Sequence, residues 1–457
     1  MLGLGLHGGG TSVVRWLCRQ GARVTVTDLK THSQLAPCLR QLRGLKVRYV
    51  LGRHPSSLLA HCDRVIQNPG VPRELPLLRA ARGRGIPLEN EATLFLDRCP
   101  TLRLVGVTGS KGKSTTATLL GAMLSTVGAS AMVAGNIRDT LMLDVLPRLR
   151  ATTPVVLELS SWQLELVAEH GQSLPVAVVT NVFPEHLDRY ASFAAYARAK
   201  TGIFLNQGSR GVAVLNYGNA TTRSFARRAP GRVVWFSLTP AIPRGSQGVV
   251  VQAGWVVFLA GARKVRLCKV SNLALPGRHN LENVLAAAAA AHVLGAPTSA
   301  IRRAVVSFRG LHDRMELVRT YRGVRYVNDT TATAPAATAA ALAALAGSRV
   351  VLIAGGADKA LPYKELARLV RRREIPLVLL PGDATAKLQR ALGSCPQQFL
   401  VQTMPAAVAL AAKLAPPGAT VLLSPAAASF GLFTHEFDRG AAFRRSVLAL
   451  GRKPHAR

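Results

Sequence analysis

Short apolar runs alternate with amphipathic or alanine-rich stretches along the chain, the order expected of parallel α/β sheets. The runs 23–28 (RVTVTD), 102–107, 155–161 (VVLELSS), 176–182 (VAVVTNV) and 211–216 (GVAVLN) read as strands. So do 324–329 (VRYVND), 349–356 (RVVLIAGG), 376–382 (PLVLLPG) and 420–425 (TVLLSP). The run 102–107 reads as a buried strand. Helical patterns lie between them, at 15–21, 116–124, 192–204 and in the alanine-rich segment around 284–291. Residues 233–238 and 249–260 read as a small β insertion.

The pattern divides into three modules, 1–97, 98–309 and 310–457, and the fold class is α/β throughout. The first opens on GLGLHGGG, followed by a helix and a strand ending in Asp28, the order of a Rossmann-like dinucleotide fold. Only Met1 and Leu2 precede its glycines, so the first strand is either very short or begins upstream of this sequence. The second module reads as a parallel-sheet domain of P-loop ATPase type, the third as another Rossmann-like α/β domain.

The sharpest local signal is GVTGSKGKSTT at 106–116, set between a buried strand and a helix. Glycines let backbone N–H groups turn toward an anion, and the helix N-terminus adds its positive dipole end. Gly109, Ser110, Lys111, Gly112, Lys113, Ser114 and Thr115 form the expected phosphate cradle. Lys113 would reach the outer phosphates, and the Ser114 hydroxyl would face Mg²⁺. The spacing is G-x-x-G-x-x-G-K-S, with Val107 where the strict P-loop has its first glycine.

Composition narrows the rest. The formal charge is +35, yet 46 of the 58 basic residues are arginines spread along the chain, with no helix-turn-helix, zinc finger or RNA-binding motif. An Arg-rich composition accounts for the charge better than a specific nucleic-acid partner does. Against that bias Lys113, Lys200 and Lys359 stand out, because they occupy motif positions where a compact or deprotonatable amine is useful. The six cysteines lack C-x-x-C pairs, which fits reduced thiols and a cytoplasmic location. No apolar run reaches the ~20 residues of a membrane helix, and the N-terminus lacks the basic region of a signal peptide.

Two further motifs carry ligand-type side chains. LELSSWQLE places Glu158 near a strand end, where a lone carboxylate is costly unless paired or metal-bound, the alternative being a helix cap or structural ion pair. NVFPEHLDRY places Glu185, His186 and Asp188 beyond the next strand, His186 being a ligand or a hydrogen-bonded loop histidine. Lys200, in YARAK, reads by itself as a solvated helix lysine.

GVTGSKGKST, LELSSWQLE, NVFPEHLDRY, YARAK, LPGRHNLEN, GLHDRME, VNDTTATAP, IAGGADK and LLSPAAASFGLF follow one another in an order that resembles the Mur ligases over nearly the whole chain. The H-x-D-R-Y and SPA-x-AS elements favour the member that adds D-glutamate. The resemblance implies an ATP-dependent acid–D-amino-acid ligase of peptidoglycan synthesis, which joins UDP-N-acetylmuramoyl-L-alanine to D-glutamate through an acyl phosphate. It implies a monomer, two Mg²⁺ ions and a CO₂-derived carbamate on Lys200, with Lys113, Lys200 and His186 catalytic. Ser114, Glu158, His186 and Lys200 would hold metal; Asn283, Arg314 and Asp329 would contact ATP. Leu6, His7, Asp28, Lys30, Asn68, Gly70, Asn136 and Ser160 would bind the UDP substrate. Thr333, Lys359, Ser429 and an aromatic, Phe433 or Phe437, would receive D-glutamate. Asp313 and Thr331 depart from the family pattern, standing where many relatives have His and Lys. Alternatives are another Mur ligase, a folylpolyglutamate-synthetase-like ligase, and a basic nucleic-acid-binding P-loop ATPase.

Overall fold

The computed structural model describes residues 1–451 apart from 7, 126–129, 138–139, 187–188, 276, 360 and 395–396. The chain forms two compact units, Met1–Phe308 and Arg309–Arg457.

The first unit is built on a nine-stranded sheet. Its spatial order is Arg263–Lys269, Trp255–Ala260, Gln247–Gln252, Arg232–Ser237, Val212–Asn216, Val176–Val179, Leu104–Thr108, Val155–Glu158 and Met132–Gly135. The seven strands from Gln247–Gln252 onward run parallel, and the first two are antiparallel additions. The expected β insertion is therefore no separate element. Its strands continue the main sheet, because Val249 and Val250 pair in register with Phe236 and Ser237.

Alternation decides which side each residue covers. Val105 and Val107 pack with the helices Lys113–Leu124, Arg278–Val293 and Thr298–Ser307, while Leu104 packs on the opposite face. Gly106 points to that second face, where a Cβ would lie 2.6 Å from Leu174 Cγ. The alanine run serves close packing: Ala286–Ala291 are fully buried, and small side chains let their helix press against Lys113–Leu124. The strand expected at 102–107 is instead Leu104–Thr108, with Leu102 85% exposed.

At the amino terminus residues 1–3 pair as a strand would. Leu2 bridges in parallel to both Thr27 and Gln67, and Gly3 N–H donates to Thr27 O at 2.8 Å. Residues 1–3 thus run between Val24–Asp28 and Val65–Ile66, which brings the glycine loop to the carboxyl ends of the neighbouring strands.

The second unit has a six-stranded sheet in the order Glu316–Tyr321, Val324–Asn328, Thr420–Leu423, Val350–Gly355, Leu377–Leu380 and Gln398–Leu400. Only the first pair is antiparallel. Asp329, Lys359 and Ser429 all follow the carboxyl ends of parallel strands, the usual ligand side of such sheets.

Candidate nucleotide-phosphate and metal site

Helix Lys113–Leu124 starts at Gly112 without a side-chain cap, so its first-turn N–H groups face the loop mouth. The loop tolerates only glycine at its two bends. A Cβ on Gly109 (φ 149°) would lie 1.9 Å from Thr180 Oγ1, and one on Gly112 (φ 84°) would lie 2.1 Å from Asn283 Oδ1. The loop is clamped from the next strand end. Ser110 N–H donates to Asn181 O at 2.8 Å, Lys111 N–H to Asn181 Oδ1 at 2.9 Å, and Thr180 Oγ1 donates to Lys111 O at 2.7 Å. Phe183 N–H donates to Ser110 Oγ at 2.9 Å, and the Tyr196 hydroxyl lies 3.1 Å from the same oxygen. Sequence reading missed Thr180, Asn181 and Tyr196 as loop supports. Ser114 and Thr115 occupy the helix's first turn. Asn283 is buried beside Gly112 and accepts from Thr116 Oγ1 at 3.4 Å.

Lys113 Nζ donates to the carbonyls of Gly109 (3.0 Å) and Ser110 (2.9 Å). Lys200, by itself expected to be solvated, is only 2% exposed. Helix Phe193–Thr201 brings Tyr196 and Lys200 onto one face at i, i+4, and the Lys200 ammonium lies 4.6 Å from the Tyr196 ring centre while donating to Gly109 O at 2.9 Å. Burial, and then the neighbouring charge of Lys113, push the Lys200 amine well below its ordinary range, with Glu185 and Glu158 opposing.

Glu158 ends its strand 2% exposed. A Cβ on Gly135 would meet its carbonyl oxygen at 2.2 Å, and Asn136 N–H donates to that oxygen at 2.9 Å. His186 has a left-handed backbone (φ 56°), and its ring packs 5.3 Å from Trp162 and 5.8 Å from Tyr196. Arg189 stacks 4.2 Å over Trp162 and donates to Val71 O at 3.0 Å, tying this loop to residues 68–71. Asp188 lies outside the described residues. Among the described residues no three His, Cys, Asp or Glu side chains converge as a metal cage. The available donors, the carboxylates of Glu158 and Glu185 beside the buried Lys200 amine with the Ser114 hydroxyl and the His186 imidazole, fit Mg²⁺ that shares its coordination with phosphates and water.

In the first module Asp28 organises the glycine loop. Its carboxylate accepts from the N–H groups of Leu4 (2.8 Å), Gly5 (3.2 Å) and Lys30 (2.9 Å). Burial works to raise its pKa, but those bonds and the Lys30 charge outweigh it and hold the carboxyl below the usual range. Asn68 accepts from Gly70 N–H at 3.0 Å, and its amide nitrogen would lie 3.3 Å from a Cβ on Gly5, so Gly5, Asp28, Asn68 and Gly70 form one cluster. Leu6 is 37% exposed there; His7 lies outside the described residues. Ser160 is the N-cap of helix Ser161–Glu169 in a capping box with Gln163, so its hydroxyl is already engaged.

In the second unit Lys359 Nζ donates to Thr333 Oγ1 at 2.8 Å. Burial lowers the Lys359 pKa; Glu436 opposes and Arg439 adds to the shift. Arg439 is 1% exposed and bonds Thr330 Oγ1 (3.0 Å), Thr330 O (3.0 Å) and Ala427 O (3.2 Å), and burial pulls its pKa to about 10. Sequence reading gave it no role. Ser429 is buried, and its Oγ has no hydrogen-bond partner among the described residues. Phe433 lines a cavity of about 670 Å³ with Met404, Leu432 and Leu450, and the Phe437 ring lies 5.9 Å from that of His435. Asp329 is buried, accepts from Ser424 Oγ (2.9 Å) and Met315 N–H (3.2 Å), and is pushed by burial to about 6. Arg314 is exposed. The two departing positions meet each other: Thr331 donates to Asp313 O through N–H (3.2 Å) and Oγ1 (3.0 Å).

A parallel sheet, a glycine loop at a strand end and a Lys-Ser helix start define a nucleotide-phosphate-binding α/β protein. Family comparisons then place it more closely. The Mur ligase MurD-like N-terminal domain matches residues 1–89, the Mur ligase middle domain 107–291, and the Mur ligase glutamate ligase domain 313–427. A UDP-N-acetylmuramoylalanine–D-glutamate ligase of Roseiflexus sp. (strain RS-1) is 45% identical, over 98% of this chain and 97% of its own length. A ligase of the same name from Geobacter metallireducens is 41% identical over 99% and 97%. The chain belongs to the Mur ligase family. Among solved structures, UDP-N-acetylmuramate-alanine ligase MurC of Thermotoga maritima shares the fold with a TM-score of 0.58 at 19% identity, covering 98% of each chain. A pseudomurein peptide ligase type C of Methanothermus fervidus does so at 0.53 and 17%, over 96% and 97%. Among the described residues no helix is long and apolar enough to cross a membrane.

Proposed function

We propose that this chain is the ATP-dependent ligase that joins D-glutamate to UDP-N-acetylmuramoyl-L-alanine in peptidoglycan precursor synthesis. The alanyl carboxylate takes the γ-phosphoryl group of ATP, D-glutamate's amine attacks the acyl phosphate, and the products are an amide, ADP and phosphate. The relatives carry that name over nearly the full length, and the cradle around Gly109 is the observation that carries the reading. Such a transfer asks the protein mainly to position two anions and offset their charge.

Lys113 and the helix start receive the phosphates, with Asn283 on the adenine side and Arg314 and Asp329 contributing from the second unit. Ser114, Glu158 and His186 hold Mg²⁺. Mg²⁺ held there would supply neutralisation of the phosphate charge. Lys200 is the carbamylated residue. Burial and the Lys113 charge lower its pKa and so favour the neutral amine; that nitrogen bonds to the carbon of CO₂ and a proton is released, so that a cation that repels metal would give way to an oxygen pair able to ligate it. The cluster of Gly5, Asp28, Lys30, Asn68 and Gly70, with Leu6, His7, Asn136 and Ser160, takes the UDP substrate. Thr333, Lys359, Ser429 and Phe433 or Phe437 take D-glutamate, the unengaged Ser429 hydroxyl being suited to a carboxylate oxygen. We read the domains as 1–97, 98–309 and 310–457, the chain as a monomer and its place as the cytoplasm. A phosphate-release assay with the UDP substrate and a panel of amino acids tests the reading. Release is expected with D-glutamate alone; equal release with L-lysine or diaminopimelate would assign the chain to another Mur ligase.

A further inference from the structure

Lys111 stands at the tip of the phosphate loop with its backbone fixed. Its N–H donates to Asn181 Oδ1 at 2.9 Å, and its carbonyl accepts from Thr180 Oγ1 at 2.7 Å and Asn181 Nδ2 at 3.2 Å. Only its side chain is left to move. That side chain is 73% exposed, and its ammonium is paired with the Glu185 carboxylate, itself 23% exposed. Glu185 has other neighbours: its charge acts on Tyr196 and on Lys200. Lys113, by contrast, is turned onto the Gly109 and Ser110 carbonyls. The rim of the cradle therefore carries a cation on a pinned backbone, held by a carboxylate that retains Tyr196 and Lys200 when the cation leaves.

An exposed ion pair of this kind is weak, because water screens it and two long side chains must be ordered to form it. A nucleotide polyphosphate seated in the cradle carries several negative charges against one on Glu185. We propose that Lys111 is a second nucleotide-phosphate lysine, held at the loop rim by Glu185 while the loop is empty and surrendered to the phosphates when nucleotide binds. The proposal rests on the nucleotide reading of the loop. Glu185 and phosphate compete for one ammonium, so Glu185 weakens nucleotide binding by an amount that depends on Lys111. The released carboxylate stays beside Lys200, so occupancy of the rim is felt at the buried lysine.

The test is calorimetric titration of the full chain with ADP in magnesium-free buffer, using the wild type, Lys111→Met, Glu185→Gln and the double variant. Both side chains are at the surface, and a thermal melt of each variant verifies folding. Lys111→Met is expected to weaken ADP by about two- to five-fold, and Glu185→Gln to tighten it by a similar factor, the scale of an exposed pair. In the Lys111→Met background the Glu185→Gln effect is expected to vanish. Equal tightening with and without Lys111 would overturn the exchange, since Glu185 would then simply repel phosphate; so would unchanged affinity in both single variants, or weaker binding in Glu185→Gln. Lys113→Ala separates the two levels. If it binds ADP as the wild type does, or the wild type binds none, the cradle reading falls and takes the proposal with it. If Lys113→Ala alone loses ADP and the other variants do not differ, only the exchange falls.

Discussion

Lys113 and Lys200 place their side-chain nitrogens on the same acceptor, the carbonyl oxygen of Gly109, at 3.0 and 2.9 Å. Two amines on one carbonyl repel unless one is neutral or negative charge arrives, and the depressed pKa of Lys200 reflects that repulsion added to burial. The arrangement favours a phosphate for Lys113 and a change of chemical form for Lys200.

For Lys113 the expectation follows directly. Lys113→Ala removes the phosphate cation without touching the Thr180–Asn181 clamp, so the protein is expected to stay folded. Phosphate release is expected to fall by about 10²-fold or more, the scale of losing one preorganised charge-stabilising donor. Near-normal release from a folded Lys113→Ala would remove the lysine from the mechanism.

The loop was legible in the sequence because its determinants are local: Gly109 and Gly112 bend the chain, and Gly-Lys-Ser opens a helix within a few residues. Its supports were not, since Asn181 reaches Ser110 and Lys111 from the end of the neighbouring strand, 70 residues from Lys111 along the chain, and nothing in its own sequence neighbourhood announces a clamp. Strand edges were misread where burial decides them, as at Leu102, whose apolar side chain points to solvent. The pairs Val65–Ile66 and Leu88–Glu89 are too short to leave a periodic signal. Ser160 shows the opposite limit. Its motif suggested a substrate contact, and the structure also gives it a local capping role with Gln163.

Asp28 links stability to pH in the first module. Its carboxyl is held below the ordinary value in the folded chain, so its stabilisation is fully present above the unfolded value of about 3.9 and is lost as pH falls through the folded one. Asp28→Asn turns an amide toward backbone donors and is expected to cost roughly 1–3 kcal/mol at neutral pH. Denaturant melts of both proteins should show a gap that is constant above about pH 5 and closes below about pH 4. A gap that widens on acidification would contradict the carboxylate's role.

In the second unit, Lys359 pairs with Thr333 and feels both Glu436 and Arg439. Lys359→Ala is expected to raise KM for D-glutamate by at least about 10-fold, the worth of a charge-assisted bond of roughly 1.5–3 kcal/mol, and to leave ADP affinity unchanged. Steady-state phosphate release measured against D-glutamate, with ADP titration in parallel, checks both. An unaltered KM would move the acidic substrate away from this lysine.

Lys200 is the most demanding case, because its burial is costly and its charge is wrong for a metal site. As a carbamate it supplies oxygen ligands; as an ammonium it repels Mg²⁺. If Lys200 is carbamylated as proposed, Lys200→Ala is expected to be nearly inactive and to recover partly with short carboxylic acids, which would place an oxygen where the carbamate oxygen would sit. Lys200→Arg should remain inactive, since a guanidinium keeps the charge but neither carbamylates nor ligates. Lys200→Met separates function from stability: it removes a desolvated amine from beside Lys113 and is expected to melt no lower than the wild type at neutral pH. As pH rises toward the ordinary lysine range the wild type should gain on it, because the unfolded chain there binds more protons than the folded one. Substantial activity in Lys200→Arg, or an unmodified amine in a high-resolution map together with failure of acid rescue, would reject the carbamate and leave the ligase assignment on its other residues.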